Sequence, residues 1–452
     1  MQRLPFHLLK TVAAYWIAAA PMTNNTPPSP TTRAAATEPT MIRWVEKGVA
    51  NAAHWRSERG SPPAHTVTLA DDSTNADAAY RLACEGTAML WRGDFHQARQ
   101  LLQALARRID HTPQRKRRKL AGAPDAPLSA ADQFHRHRMA QSQRARILGM
   151  LLVQMEPDYR INLRRAPDVL LACSQAWGPP VPGAAASVVA LRELMGVTSA
   201  HGWRTQGVEV AALGAAPNNR IYPHYGVFSP LRGEYVDLVA QEPLPVTGQT
   251  PYVAFDIGTG SGVLAAVLAR RDLHHIVATD TEPRALACAR DNLQRLGLQA
   301  DVAVLQTDVF PEGRASLVVC NPPWLPVRPG TPIERAVYDE RGRMLKDLLG
   351  GLRAHLAPGG EAWLILSDLA EHLGLRSRAQ LLDAIAQAGL QVAGRSDTQP
   401  QHPKAMDRSD ALHYARTAEV TSLWRLRAAP NTTGADQVGN PVGTGADGGG
   451  TC

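Results

Sequence analysis

Residues 252–262 read Tyr-Val-Ala-Phe-Asp-Ile-Gly-Thr-Gly-Ser-Gly, and this stretch decides the fold. Tyr252–Ile257 is a β-branched and aromatic run, which favours a strand. Gly258, Gly260 and Gly262 follow at every second position. Glycines there permit positive φ and let the backbone approach a ligand closely. Gly262–Arg271 then takes up helical apolar spacing. Downstream the alternation continues. His275–Thr279 reads as a strand and Pro283–Leu296 as a helix, and Asp301–Leu305, Leu317–Cys320 and Glu361–Leu366 are further strands. The helix Met344–Leu356 precedes a Pro358-Gly359-Gly360 turn, and the helix Arg378–Ala388 follows the fifth strand. Gln391–Arg395 and Glu419–Leu426 can close the sheet. The pattern predicts a doubly wound α/β sheet of seven strands, with the functional site at the strands' carboxyl ends.

The strand tips carry polar residues in order. A nicotinamide-binding turn has G-x-G-x-x-G spacing, whereas Asp256–Gly262 is D-x-G-x-G-x-G. Asp280 ends the second strand, 24 residues after Asp256. A carboxylate there can accept both ribose hydroxyl protons. The third strand leads to Gln306-Thr307-Asp308-Val309, and the fourth to Asn321-Pro322-Pro323-Trp324, 65 residues after Asp256. An amide or exocyclic amine is a poor nucleophile because its lone pair is delocalised. Two acceptors, the Asn321 side-chain oxygen and the Pro322 carbonyl, can hold its two N–H groups and align the nitrogen for attack. The prolines stiffen the loop, and Trp324 offers a flat face for stacking.

These motifs resemble those of class I S-adenosylmethionine-dependent methyltransferases of the small-domain group. That group includes release-factor and ribosomal-protein glutamine methyltransferases and ribosomal RNA guanine-N2 methyltransferases. The resemblance implies S-adenosyl-L-methionine as cofactor, held by Asp256, Gly258, Gly260, Gly262, Asp280 and Asn321. Asp256 would suit its ammonium and sulfonium charges. Asp308 would bond the adenine amino group and the Val309 N–H the ring. Asn321, Pro322, Pro323 and Trp324 would present the nitrogen to be methylated. Gly226-Val227-Phe228-Ser229 resembles the G-V-F-S entry of the guanine enzymes, placing Phe228 and Ser229 on the substrate side. Asn321–Pro326 instead resembles the N-P-P-Y-I-P of the glutamine enzymes, and Glu334, Ala336 and Gly342 echo their substrate loop. Trp324 departs from both, standing where tyrosine is usual for glutamine and phenylalanine for guanine. The implied activity is N-methylation of a planar amino nitrogen, with an RNA base amine slightly ahead of a glutamine in a translation factor or ribosomal protein. A non-catalytic cofactor-binding scaffold and a nicotinamide oxidoreductase are the rivals, opposed by the intact N-P-P-W and by the glycine spacing respectively.

The rest of the chain narrows the class. It has 452 residues, 44% hydrophobic and 20% charged, enough apolar surface to exclude disorder throughout. No stretch of about 20 uncharged apolar residues suggests a polytopic membrane protein. Cys84, Cys173, Cys288, Cys320 and Cys452 form no C-x-x-C pair, so they read as reduced thiols of a cytoplasmic protein rather than zinc ligands or disulfides. Residues 1–200 hold 25 basic and 15 acidic side chains, and residues 201–452 hold 23 and 26. The basic half suits a polyanionic partner such as nucleic acid. Residues 41–200 read as a mainly helical, basic substrate-recognition domain. Its clearest piece is a helical hairpin over Ala78–Arg108 broken at Gly93-Asp94, similar to one tetratricopeptide unit. The cationic run Arg115–Lys119 reads as a charged loop that either grips phosphates or merely keeps the loop solvated. Phe134–Leu152 reads as a basic helix carrying Arg136, Arg138, Arg144 and Arg146, and His135 and His137 lack partners for a metal. Residues 201–250 connect to the domain at 251–428. Residues 1–40 resemble a weak secretory signal at Arg3–Ala20 but read rather as a disordered leader or an over-extended start, with Met22 and Met41 as alternative starts. Residues 429–452 read as a disordered tail.

Overall fold

The computed structural model describes residues 40–110, 128–330, 332–400 and 410–430. The expectations for residues 1–39, for Arg115–Lys119 and for residues 431–452 lie outside these.

The first half is built on a sheet, which corrects the reading of it as mainly helical. Six strands, β1 (Met41–Glu46), β2 (Val49–Arg56), β3 (Thr66–Ala70), β4 (Thr87–Trp91), β5 (Leu151–Met155) and β6 (Ser187–Ala190), pair in the order β1-β2-β6-β5-β4-β3. The pairs β2·β6, β3·β4 and β4·β5 are parallel, and β1·β2 and β5·β6 antiparallel. In place of the helical hairpin stand a helix (Ala76–Glu85), the strand β4 and a second helix (Phe95–Asp110). Gly86 stops the first helix with φ 87°, its N–H returning to the Ala83 and Leu82 carbonyls. Ala88, Met89, Leu90 and Trp91 are all buried. A short strand covered on both faces has no polar alternation, so its apolar run reads like a buried helical segment. β5 and β6 are hidden in the sequence for the same reason. Helix Ala130–Leu148 occupies the stretch read as a basic helix.

A two-strand ribbon, β7 (Val208–Glu209) and β8 (Arg220–Ile221), leads to the second sheet. This contains β9 (Val253–Ile257), β10 (His275–Asp280), β11 (Val302–Gln306), β12 (Ala315–Cys320), β13 (Leu356–Ser367), β14 (Leu390–Thr398) and β15 (Thr421–Ala428). Their order is β11-β10-β9-β12-β13-β15-β14, with β15 antiparallel to both neighbours. All seven strands expected from the sequence are present, and the domain is doubly wound and Rossmann-like. Along β12, Leu317 and Val319 face one core layer and Val318 and Cys320 the other. Helices Glu234–Gln241 and Val263–Ala269 cover the first face, and Arg343–His355 and Arg378–Gln387 the second.

The two halves meet above the carboxyl ends of β9 to β13. Phe134, 2% exposed, packs with Leu325, Tyr338, Leu369, Leu373 and Leu412. Arg138, one turn on, lies 4.5 Å from the Tyr338 ring centroid and donates to the Arg328 carbonyl at 2.9 Å. On the other side Arg284 donates to the Ala176 carbonyl at 2.8 Å and pairs with Glu58 at 3.4 Å.

Candidate active site at the strand carboxyl ends

A cavity of about 1000 Å³ opens where the polar strand tips converge. Gly258, Gly260, Asp280, Asp308, Asn321 and Trp324 line it, as do Phe228, Ser229, Val309 and Pro323. Asp256, Gly262 and Pro322 are not among its lining residues. Their positions define what each does.

Asp256 is 1% exposed and braces the turn from behind. Its Oδ2 accepts the Thr259 hydroxyl at 2.6 Å and the Ala265 N–H at 3.0 Å. Burial pushes its carboxyl up to about 6, so it is a poor fixed counter-charge for a ligand cation. Gly262 begins helix Val263–Ala269 at φ 80°, and a Cβ there would stand 3.1 Å from Ala289 Cα. It joins the turn to helix Pro283–Arg295 rather than touching a ligand. Gly260 has φ 55°, a Cβ added there would meet no atom closer than 4.0 Å, and its N–H donates to Asp280 Oδ2 at 3.0 Å. Its exposed face remains clear for a ligand.

Asp280 is set for hydroxyl recognition. Oδ2 takes the Gly260 N–H and Oδ1 the Glu282 N–H, at 3.0 Å each. The Thr281 N–H also bonds the carboxylate, and of its roughly four acceptor sites one is left for a ligand hydroxyl. Burial raises its carboxyl above the ordinary range, against the pull of these N–H groups. Next along, Val309 has φ 64°, an uncommon conformation for a β-branched residue. Its carbonyl accepts the Thr279 hydroxyl at 2.9 Å, which holds the bend. Asp308 is exposed and paired with Arg343 at 3.1 Å. An adenine amino group at Asp308 would therefore share its carboxylate with a guanidinium. Asp280, the clear face at Gly260 and the bent backbone at Val309 suit a ribosyl-adenine group, so the residues present fit the implied cofactor.

The N-P-P-W loop follows β12. Asn321 Oδ1 accepts the Trp324 indole N–H at 2.8 Å. This contact locks the amide, leaves one lone pair on its oxygen, and depends on tryptophan, since tyrosine and phenylalanine carry no donor there. The Trp324 ring is half-buried and packs against the β12 core layer. Beyond it, Leu325 N–H donates to the Val337 carbonyl and Asp339 N–H to the Leu325 carbonyl. Asp339 caps helix Arg343–His355 through the Met344 and Leu345 N–H groups, both at 3.2 Å. Glu334, which echoes a substrate loop in the sequence, is 2% exposed and accepts the Gly330 N–H at 2.7 Å. Ala336 lines the cavity.

Sequence reasoning missed the remaining wall. His224 lines the cavity and contacts Asp291 through Nε2 at 2.9 Å, and burial lowers its pKa. Arg232 pairs with Glu419 at 3.2 Å, and both line the cavity with Phe134 and Arg138. No local motif marks these residues. They come from four separate segments and meet only through the packing of the two halves.

Residues 218–387 match the family model described as the methyltransferase small domain. The release factor glutamine methyltransferase of Moorella thermoacetica is 34% identical over 153 residues, 29% of this chain and 54% of that protein. The ribosomal protein L11 methyltransferase of Pelotomaculum thermopropionicum is 45% identical over 69 residues, 15% of this chain and 22% of that protein. The chain thus spans about half the length of the first relative and less than a quarter of the second. A solved ribosomal protein L11 methylase from Lactobacillus delbrueckii subsp. bulgaricus aligns with TM-score 0.32 and 18% identity, covering 48% of this chain and 90% of that one.

Proposed function

We propose that this protein is an S-adenosylmethionine-dependent N-methyltransferase acting on a planar amino nitrogen. The observation that carries the reading is the juxtaposition, in one cavity, of Asp280 with the glycine turn and the locked Asn321 beside Trp324. The similarity of residues 218–387 to the methyltransferase small domain supports it independently. When bound, S-adenosylmethionine supplies an electrophilic methyl group on a sulfonium. Asp280 holds the ribose end. Asn321 Oδ1 accepts an N–H of the acceptor and turns the nitrogen lone pair toward the methyl. Because the proton can leave for solvent after transfer, no strong base is required.

The relatives' names support an acceptor from the translation apparatus. Within it an RNA base amine suits the basic first half, and a protein glutamine suits the likeness to the release factor glutamine methyltransferase. The test is transfer of radiolabelled methyl from S-adenosylmethionine to an extract of cells lacking this gene, followed by RNase or protease. Label released by one treatment identifies the acceptor class. A protein that binds S-adenosylhomocysteine yet labels neither fraction is a scaffold and overturns the reading.

A further inference from the structure

Asn321 stands between β12 and two prolines, and this decides how its amide can be held. An asparagine in a turn ordinarily lays its side-chain oxygen on the backbone N–H two residues on. Here that residue is Pro323, and Pro322 precedes it, so neither has an N–H to give. Oδ1 accepts the Trp324 indole N–H instead, at 2.8 Å. Among the described residues no other group bonds the Asn321 side chain. Both residues line the cavity. An amide has an acceptor end and a donor end of nearly the same shape, and the hydrogen-bond partners decide which way it turns. An indole N–H only donates. Its partner must therefore be Oδ1, and the amide cannot turn over without losing the bond. The indole cannot follow a turned amide, because its ring is half-buried against the core layer of Val318 and Cys320.

Resting on the methyl-transfer reading above, we propose that Trp324 is a positioning residue for transfer, its indole N–H holding the Asn321 amide with the oxygen set for an N–H of the methyl acceptor. Oδ1 has two lone pairs, one taken by Trp324 and one left for the acceptor. The amide's other end, Nδ2, is itself a donor and would oppose an incoming N–H, so a turned amide is unproductive. Fixing the amide beforehand removes that arrangement and the ordering that acceptor binding would otherwise cost. Phenylalanine or tyrosine at this position keeps a flat ring and loses the donor. Stacking by the ring and orienting by the N–H are thus two functions of one side chain, and they can be separated. A carboxylate in place of the amide makes the lock dispensable, because both of its oxygens accept and no orientation is wrong.

The experiment uses the full-length chain as wild type, Trp324→Phe, Asn321→Asp and the double variant. Methyl transfer is followed to the RNA and protein fractions of an extract of cells lacking the gene, and S-adenosylhomocysteine affinity is measured by calorimetry. We expect Trp324→Phe to lower kcat by about five- to tenfold, the size of one neutral hydrogen bond, with S-adenosylhomocysteine affinity within about twofold. In the Asn321→Asp background the same change should cost about twofold or less, because the two sites are coupled only through the orienting bond. In protein carrying isotope-labelled tryptophan, the Trp324 indole N–H resonance is assigned by its loss in Trp324→Phe. It should move upfield and exchange faster in Asn321→Ala. Should Trp324→Phe fail to fold, Trp324→Tyr carries the same cycle. Unchanged kcat in Trp324→Phe, or an equal loss in both backgrounds, overturns the proposal and leaves methyl transfer standing. Asn321→Asp without transfer overturns it as well, since a second oxygen would then not replace the lock. An indole resonance unmoved by Asn321→Ala overturns the contact itself. No label in any fraction overturns methyl transfer and the positioning role with it, even where the indole resonance answers to Asn321→Ala.

Discussion

Asp256 and Asp280 end adjacent strands, yet their carboxylates do different jobs because one points into the core and the other into the cavity. Asp280→Ala should weaken S-adenosylhomocysteine binding by about 1.5–3 kcal/mol, the range for hydrogen bonds to a charged group. Its binding role needs the ionised form, and burial raises its carboxyl. Affinity should therefore fall with decreasing pH from an onset above the ordinary value of 3.8, while Asp280→Asn shows no such onset. Unchanged affinity in Asp280→Ala would mean the ribose lies elsewhere. Burial lifts the Asp256 carboxyl from an ordinary 3.8 to about 6 in the folded protein. The stability that goes with its protonated form is complete below pH 3.8 and lost as pH rises through 6. Asp256→Asn removes that loss, up to about 3 kcal/mol at roughly 1.36 kcal/mol per unit. Urea unfolding at about pH 4.5 and pH 7, on either side of the folded value, should show wild type losing stability relative to the variant. Parallel curves would count against a buried Asp256. Asn321→Ala should abolish transfer while leaving cofactor affinity nearly intact. A tenfold loss of affinity, about 1.4 kcal/mol, would contradict the assigned role.

At the scale of elements, the helix Ala130–Leu148 is the piece that turns an open cleft into a walled cavity. Part of its charge is matched inside the molecule. Arg144 pairs with Asp110 at 2.9 Å, and Arg138 stacks on Tyr338. The helix is held over the N-P-P-W loop chiefly by Phe134, which buries a whole ring among residues of the second half. Phe134→Ala should cost about 3–5 kcal/mol in docking, the usual penalty for emptying such a site. The expected readout is faster proteolysis in helix Ala130–Leu148 with S-adenosylhomocysteine affinity retained and acceptor KM raised. Proteolysis at the wild-type rate would place the closing energy elsewhere.

For the molecule as a whole, charge and packing divide the labour. Five of the cations that make residues 1–200 basic are the run Arg115–Lys119. In the described part of that half, arginines such as Arg92, Arg108, Arg144, Arg164 and Arg165 already face carboxylates. The run is the densest cationic stretch of the sequence. Changing Arg115, Lys116, Arg117, Arg118 and Lys119 to glutamine should leave cofactor affinity unchanged. It should flatten the log–log salt dependence of transfer to RNA by up to about 4, at roughly 0.7–0.9 for each phosphate no longer neutralised. An unaltered salt slope would remove the run from the acceptor interface.

Much of the second half was legible in the order of its residues. Alternating strands and helices, a glycine turn and acidic strand tips are local patterns, and they mark β9 and β12 although these strands are buried along nearly their whole length. Asn321, Trp324 and Asp280 were legible because chemistry requires those residue types at those tips. The first half was not, because β4, β5 and β6 are equally buried but end in no glycine turn or motif that separates strand from helix. Likewise Asp256, Gly262 and Pro322 sit in the motifs but not on the cavity, since a motif records neighbourhood in the chain and not the direction a side chain takes. Phe134, Arg232 and Glu419 share no motif with Asn321. Their meeting is decided by tertiary packing alone, where segments far apart in the chain close on one another to exclude water, and there the sequence is silent.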